Sequence, residues 1–135
     1  MENDFSVIKN DILGKKYSLS IACVDKKTSK ELNKKYRNKN KPTNILSFSL
    51  KKNMGEIVLC PAVIKKEAKN FDRAFDKFLG FLVIHGMLHL DGMEHSSTME
   101  EREKFYDQKY FGRHRRGLHD DKSRRRRVLQ GRKKS

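Results

Sequence analysis

The chain has 135 residues, with 32 Lys or Arg against 17 Asp or Glu, a net charge of +15, and hydrophobic and charged residues at 36% each. That length suits one domain with a modest core. No apolar run approaches a membrane span and MENDFSVIKND does not read as a signal peptide, so no membrane partner and a cytoplasmic location are expected.

The charge is uneven. Residues 112–135 hold eleven Lys or Arg and two Asp, a net +9, which leaves +6 on the first 111 residues. Such charge attracts polyanions. Cys23 and Cys60 each sit in an apolar run and form no C-x-x-C, so both are expected as reduced core residues.

In chain order, Phe5, Ile8, Ile12 and Leu13 are spaced for a short helix that ends at Gly14. Residues 17–24 (YSLSIACV) predict a strand, and 25–28 a turn. Residues 29–38 predict a helix with Ser29 as its cap and Leu32 and Tyr36 facing inward. Residues 44–50 (NILSFSL) predict a second strand with Leu46, Phe48 and Leu50 on one face, and 55–60 (GEIVLC) a third. The short link makes these two antiparallel neighbours.

Pro61 suits the first turn of a helix over 61–69. Residues 72–91 are apolar nearly all round and predict a buried central helix. Ser97 and Glu100 match a capping box for a last helix to about Tyr110, with Met99, Phe105, Tyr106 and Tyr110 packing back. The fold class is therefore α+β: a small mixed sheet of three to four strands, flanked by helices. Residues 1–111 form the folded domain and 112–135 a flexible basic tail. In that tail Arg124, Arg125, Arg126 and Arg127 are candidate phosphate contacts without sequence readout.

The chemistry concentrates in residues 85–95, H-G-M-L-H-L-D-G-M-E-H. His85 and His89 lie one helical turn apart on the same face. Gly92 allows the chain to leave the helix, because glycine tolerates positive φ at a C-terminal cap. His95 can then return as a third ligand. Three neutral imidazoles leave a fourth position of a zinc-like ion free, the mark of a catalytic site. The pattern approaches the H-E-x-x-H of zinc peptidases, but Gly86 stands where those enzymes carry the glutamate base.

A second segment, L-N-K-K-Y-R-N-K-N-K-P-T-N-I-L-S-F at 32–48, joins G-E-I at 55–57 and the histidine motif. Together, over about residues 15–111, they make the chain resemble the YbeY family of single-domain, metal-dependent endoribonucleases of ribosomal RNA maturation. The resemblance implies His85, His89 and His95 as metal ligands and Arg37 as the functional arginine. It also implies ribosomal RNA and small-subunit ribosomal proteins as partners, with processing of the 16S 3′ end as the activity. This chain departs from the family in carrying Asn44, Glu56 and Glu94 where the family usually has Asp.

A three-histidine ion, zinc first and nickel as an alternative, lowers the pKa of bound water and polarises a phosphoryl oxygen. Arg37 can hold a phosphate bidentately. Glu94 and Glu56 are the candidate acid–base carboxylates, with Asp91 a weaker one. Two rivals stand beside a single-strand-specific ribonuclease. One is a zinc peptidase-like hydrolase, disfavoured by Gly86. The other is a non-catalytic RNA- or ribosome-binding module with a structural metal, which would need a fourth protein ligand.

Overall fold

A computed structural model of the chain describes residues 5–93 and 96–112. The described residues form five helices and a three-stranded sheet: α1 (Ser6–Ile12), β1 (Ser18–Cys23), α2 (Lys26–Arg37), β2 (Ile45–Lys51), β3 (Met54–Leu59), α3 (Pro61–Asn70), α4 (Phe75–Leu90) and α5 (Ser97–Phe111). The strand order is β1-β3-β2. β1 runs parallel to β3 with Ile21 opposite Ile57, and β2 runs antiparallel to β3 with Leu46 opposite Val58. This is the mixed sheet expected. Among the described residues no helix is long and apolar enough to cross a membrane.

Helix α4 forms over a run, Phe75 to Leu90, that has no proline and is apolar apart from Asp76, Lys77, His85 and His89, and burial follows from the same run. Phe78 to Ile84, Gly86, Met87 and Leu88 are all buried. Each large apolar side chain withdrawn from water stabilises the fold by roughly 1.5–3 kcal/mol, so this helix is the centre of the core. It packs on β2 and β3 on one side and is flanked by α1, α3 and α5. The approach to the sheet is close at Gly86, where a Cβ would meet Ile45 and Ile57 methyl carbons at 3.1 Å. Ile45, Ser47, Ile57 and Leu59 therefore face α4, since cross-strand partners share a face.

The opposite face meets α2, where the Tyr36 ring stands edge-on to Phe48 with centroids 4.9 Å apart. Leu46 and Val58 are buried on this side. The shared face expected of Leu46, Phe48 and Leu50 breaks down at a β-bulge between Ser49 and Lys51, and Leu50 is 56% exposed. A bulge interrupts the strict alternation of the strand.

Three further expectations are corrected. The cap of α2 is Asp25, whose carboxylate accepts from Thr28 N at 2.9 Å, so residues 25–28 begin the helix instead of forming a separate turn. Ser29 is buried one turn inside, and its hydroxyl donates to Thr43 O (2.8 Å) and accepts from Thr43 N (2.9 Å). The cap of α5 is Ser96 instead of Ser97, accepting from Met99 N at 3.2 Å. Cys60 is buried as expected but Cys23, at the end of edge strand β1, is exposed.

Helix α5 docks through Met99 and Tyr106, which are buried, while Phe105 is turned outward. A poorly exposed ion pair, Arg73 to Asp107 at 2.9 Å, ties it to the α3–α4 junction. In the same last turns of α5, Asp11 of α1 accepts from Lys109 Nζ (2.7 Å) and Tyr110 Oη (2.6 Å). These two bonds, Lys109 first, hold the Asp11 carboxyl below the ordinary carboxylate value.

Candidate active-site cleft

The last two turns of α4 carry His85 and His89. Their Nε2 atoms face each other at 3.1 Å, as the four-residue spacing on one helix face requires. The other ring nitrogens are engaged behind them. His89 Nδ1 donates to the Met93 carbonyl at 3.1 Å, and His85 Nδ1 bonds the Glu103 carboxylate. A carbonyl and a carboxylate only accept, so both Nδ1 atoms carry the hydrogen. In the neutral rings the two Nε2 lone pairs then face the same space, the side from which a metal ion would be ligated. Carboxylate and carbonyl partners on the rear nitrogens are the supports typical of metal-bound histidines.

The Met93 carbonyl reaches His89 because Gly92 turns the chain at φ 95°, the conformation glycine was expected to supply. His95 and Glu94 lie just beyond, outside the described residues. Among the described residues no group of three His, Cys, Asp or Glu side chains could hold a metal ion. The donor set nonetheless fits one. Two imidazoles are oriented and fixed in the ligating tautomer, and the third histidine of the motif follows six residues after His89.

His85 and His89 open into a cleft of about 360 Å³. Its wall also includes Arg37 at the end of α2, Asn44 and Ser47 around the start of β2, and Glu100 and Glu103 of α5. Arg37 is exposed, and the chain turns directly after it through Asn38 at φ 58°. The loop that follows is pinned to α2 by Ser29 on Thr43 and by Asn33 Nδ2 donating to Lys41 O at 2.9 Å. Two buried polar residues of α2 thus set where the arginine and Asn44 meet the cleft.

Asn44 donates from Nδ2 to Glu67 Oε1 of α3 at 2.8 Å. The negative charge missing at position 44 is present one hydrogen bond away. Glu56 pairs with Phe48 across the sheet and so lies on the α2 face, and it does not line the cleft. Asp91 is the exposed residue that ends α4. It too is absent from the cleft wall. Its charge, after burial, contributes to holding the Tyr17 hydroxyl above its ordinary value. Arg124 to Arg127 lie outside the described residues.

Glu103 was not foreseen. It is 8% exposed, and its signal was available: Met99, Glu103, Tyr106 and Tyr110 form an i, i+4, i+7, i+11 stripe. A single carboxylate in an inward-facing stripe calls for a buried partner. The Ser29 and Asn33 clamps had no comparable signal, because their partners are backbone groups of a loop.

The family model described as Endoribonuclease YbeY matches residues 4–113. Among curated proteins, Endoribonuclease YbeY of Staphylococcus carnosus (strain TM300) is 37% identical over 103 residues, covering 67% of this chain and 67% of that protein. The protein of the same name from Staphylococcus aureus (strain JH9) is 36% identical over 101 residues, covering 64% of this chain and 65% of that one. The chain thus spans about two thirds of the length of these relatives. The solution structure of TM1509 from Thermotoga maritima superposes with a TM-score of 0.61 at 33% identity, covering 80% of this chain and 77% of that one. The match over most of the chain, the fold and the histidine motif agree: the chain belongs to the YbeY endoribonuclease family.

Proposed function

We propose that this chain is a metal-dependent endoribonuclease that cuts single-stranded RNA in the cleft lined by α4, α5, the start of β2 and the end of α2. The observation that carries the reading is the pair of back-supported imidazoles, His85 and His89, sharing a cleft with Arg37. His85, His89 and His95 would hold one divalent ion, zinc first and nickel as an alternative. When bound, the ion supplies Lewis acidity, which lowers the pKa of water and polarises phosphoryl oxygens.

The chain's own groups do the rest. Arg37 grips the scissile phosphate with a planar fork of donors and neutralises charge that develops on its oxygens. Glu103 keeps the His85 ring in one tautomer and one orientation. Glu94, between Met93 and His95, is the carboxylate we assign to proton transfer, since Glu56 faces away from the cleft. Family membership supports ribosomal RNA as the substrate, maturation of the 16S 3′ end as the process and small-subunit ribosomal proteins as partners, in the cytoplasm. Residues 1–111 are the catalytic domain, and 112–135, with Arg124 to Arg127, are an electrostatic anchor on RNA.

Gly86 favours this reading over a peptidase. A glutamate there would point at Ile45 and Ile57 instead of at water beside the histidines.

The test is metal analysis of purified protein beside cleavage of an unstructured RNA. Wild type should hold one equivalent of metal and cleave. His89→Ala should lose both. Arg37→Glu should keep the metal and the melting temperature while cleaving about 10–100-fold more slowly, the worth of a charged hydrogen bond. Cleavage that survives in His89→Ala would remove the metal from the mechanism.

A further inference from the structure

We infer that α2 and the loop after it form a docking track for single-stranded RNA, on which Tyr36 stacks a base beside the nucleotide whose phosphate Arg37 holds. This rests on the ribonuclease reading of the cleft and adds a binding surface outside it.

The charge comes first. Residues 26–41 contain seven Lys and Arg37 against one Glu. All eight cations are exposed, and none is ion-paired among the described residues. Lys26, Lys30, Lys34 and Arg37 follow each other at steps of four, four and three. They make one helical stripe, about 16 Å long at the α-helical rise, that ends in the cleft. Like charges one turn apart destabilise a helix by roughly 0.2–0.5 kcal/mol per pair. A stripe that works against its own helix, without an acidic partner, fits a polyanion that supplies the missing charge.

The aromatic comes second. Tyr36 lies on the inward stripe of α2 with Ser29 and Asn33, which are buried. Tyr36 is instead 55% exposed. One edge of its surroundings is fixed by the T-shaped contact with Phe48, and Lys35 Nζ sits 5.2 Å from its ring centroid. The ring is held by its neighbour while much of it stays open to solvent. A rigid, exposed aromatic flanked by cations is the usual platform for an unpaired base, and each such stack is worth about 1–3 kcal/mol. A duplex keeps its bases in the helix stack and cannot use it. The track therefore selects single strands and leads them to Arg37.

The plainer role for Tyr36 is an apolar cover over Phe48. Tyr36→Leu keeps a cover and removes the ring face; Tyr36→Phe keeps both. Fluorescence anisotropy of the full chain should be measured with a labelled ten-nucleotide oligouridylate and with a blunt RNA duplex of equal length, across a salt series. Tyr36→Leu should weaken single-strand binding about tenfold and leave duplex binding unchanged. Tyr36→Phe should match wild type. The double variant Lys30→Glu, Lys34→Glu should lower the single-strand salt slope by about 1.4. Melting temperature and metal content should hold in all three. Wild-type affinity in Tyr36→Leu, or an equal loss for duplex and single strand, would overturn the track while leaving the ribonuclease reading intact. Failure of the wild-type chain to bind either RNA would defeat the ribonuclease reading itself.

Discussion

Helices α2 and α4 lie on opposite faces of the same sheet and solve opposite problems. Helix α4 is enclosed by α1, α3, α5 and two strands, and ten of its residues are buried. Helix α2 buries two residues, Ser29 and Asn33, both polar. The paired imidazoles sit on the enclosed helix, and the cations proposed to meet substrate sit on the helix that faces water. Chemistry that depends on two nitrogens 3.1 Å apart needs a rigid support. Capture of a flexible polyanion needs exposed charge and little else.

The sharpest way to break this contrast is Gly86→Glu. A carboxylate forced between α4 and the methyl groups of Ile45 and Ile57 should cost more than about 4 kcal/mol and prevent stable folding. Lys30→Glu on α2 should change stability by no more than about 0.5 kcal/mol. Thermal melts of the two variants decide the matter. Equal melting temperatures would mean that α4 is not the tightly packed helix described.

Glu103→Gln tests whether rigidity at the histidines is functional. It keeps the shape and removes the charge behind His85, so metal affinity should fall about 10–100-fold with little change in fold. A competition titration against a colorimetric chelator reads this out. Unchanged affinity would reduce Glu103 to a packing residue.

The smallest effect tests how α2 is joined to the cleft. Ser29→Ala leaves the Thr43 N–H and C=O without their partner, at a cost of about 1–3 kcal/mol. If the loop positions Arg37 and Asn44, KM for RNA should rise more than kcat falls, and metal content should not change. A variant that loses stability but keeps KM would confine the clamp to folding.

How much of this could be read from sequence depended on whether the deciding contact was local. The histidine pair and the Gly92 turn were legible because helix spacing and glycine's access to positive φ are properties of a few consecutive residues. The buried helix was legible from its unbroken apolar run. Ser29 was misread because Asp25, Thr28 and Ser29 all have capping side chains, and the choice was made by Thr43, fourteen residues away. Ser96 and Ser97 pose the same ambiguity one residue apart. Glu56 has the correct parity for a strand, but parity does not say which face of the sheet receives the histidine helix. Tyr36, expected to face inward, is 55% exposed, because its spacing on the helix does not say how closely α2 meets the sheet.

The cleft draws its wall from α2, β2, α4 and α5, segments scattered from Arg37 to Glu103. No stretch of the chain contains the whole arrangement, and the support for His85 comes from the last helix described. A polypeptide still emerging from its own ribosome, with α5 unmade, lacks that support. It also lacks the ion pair that anchors α5 at Arg73. The cleft wall and the support behind His85 are therefore complete only once α5 has docked on α4.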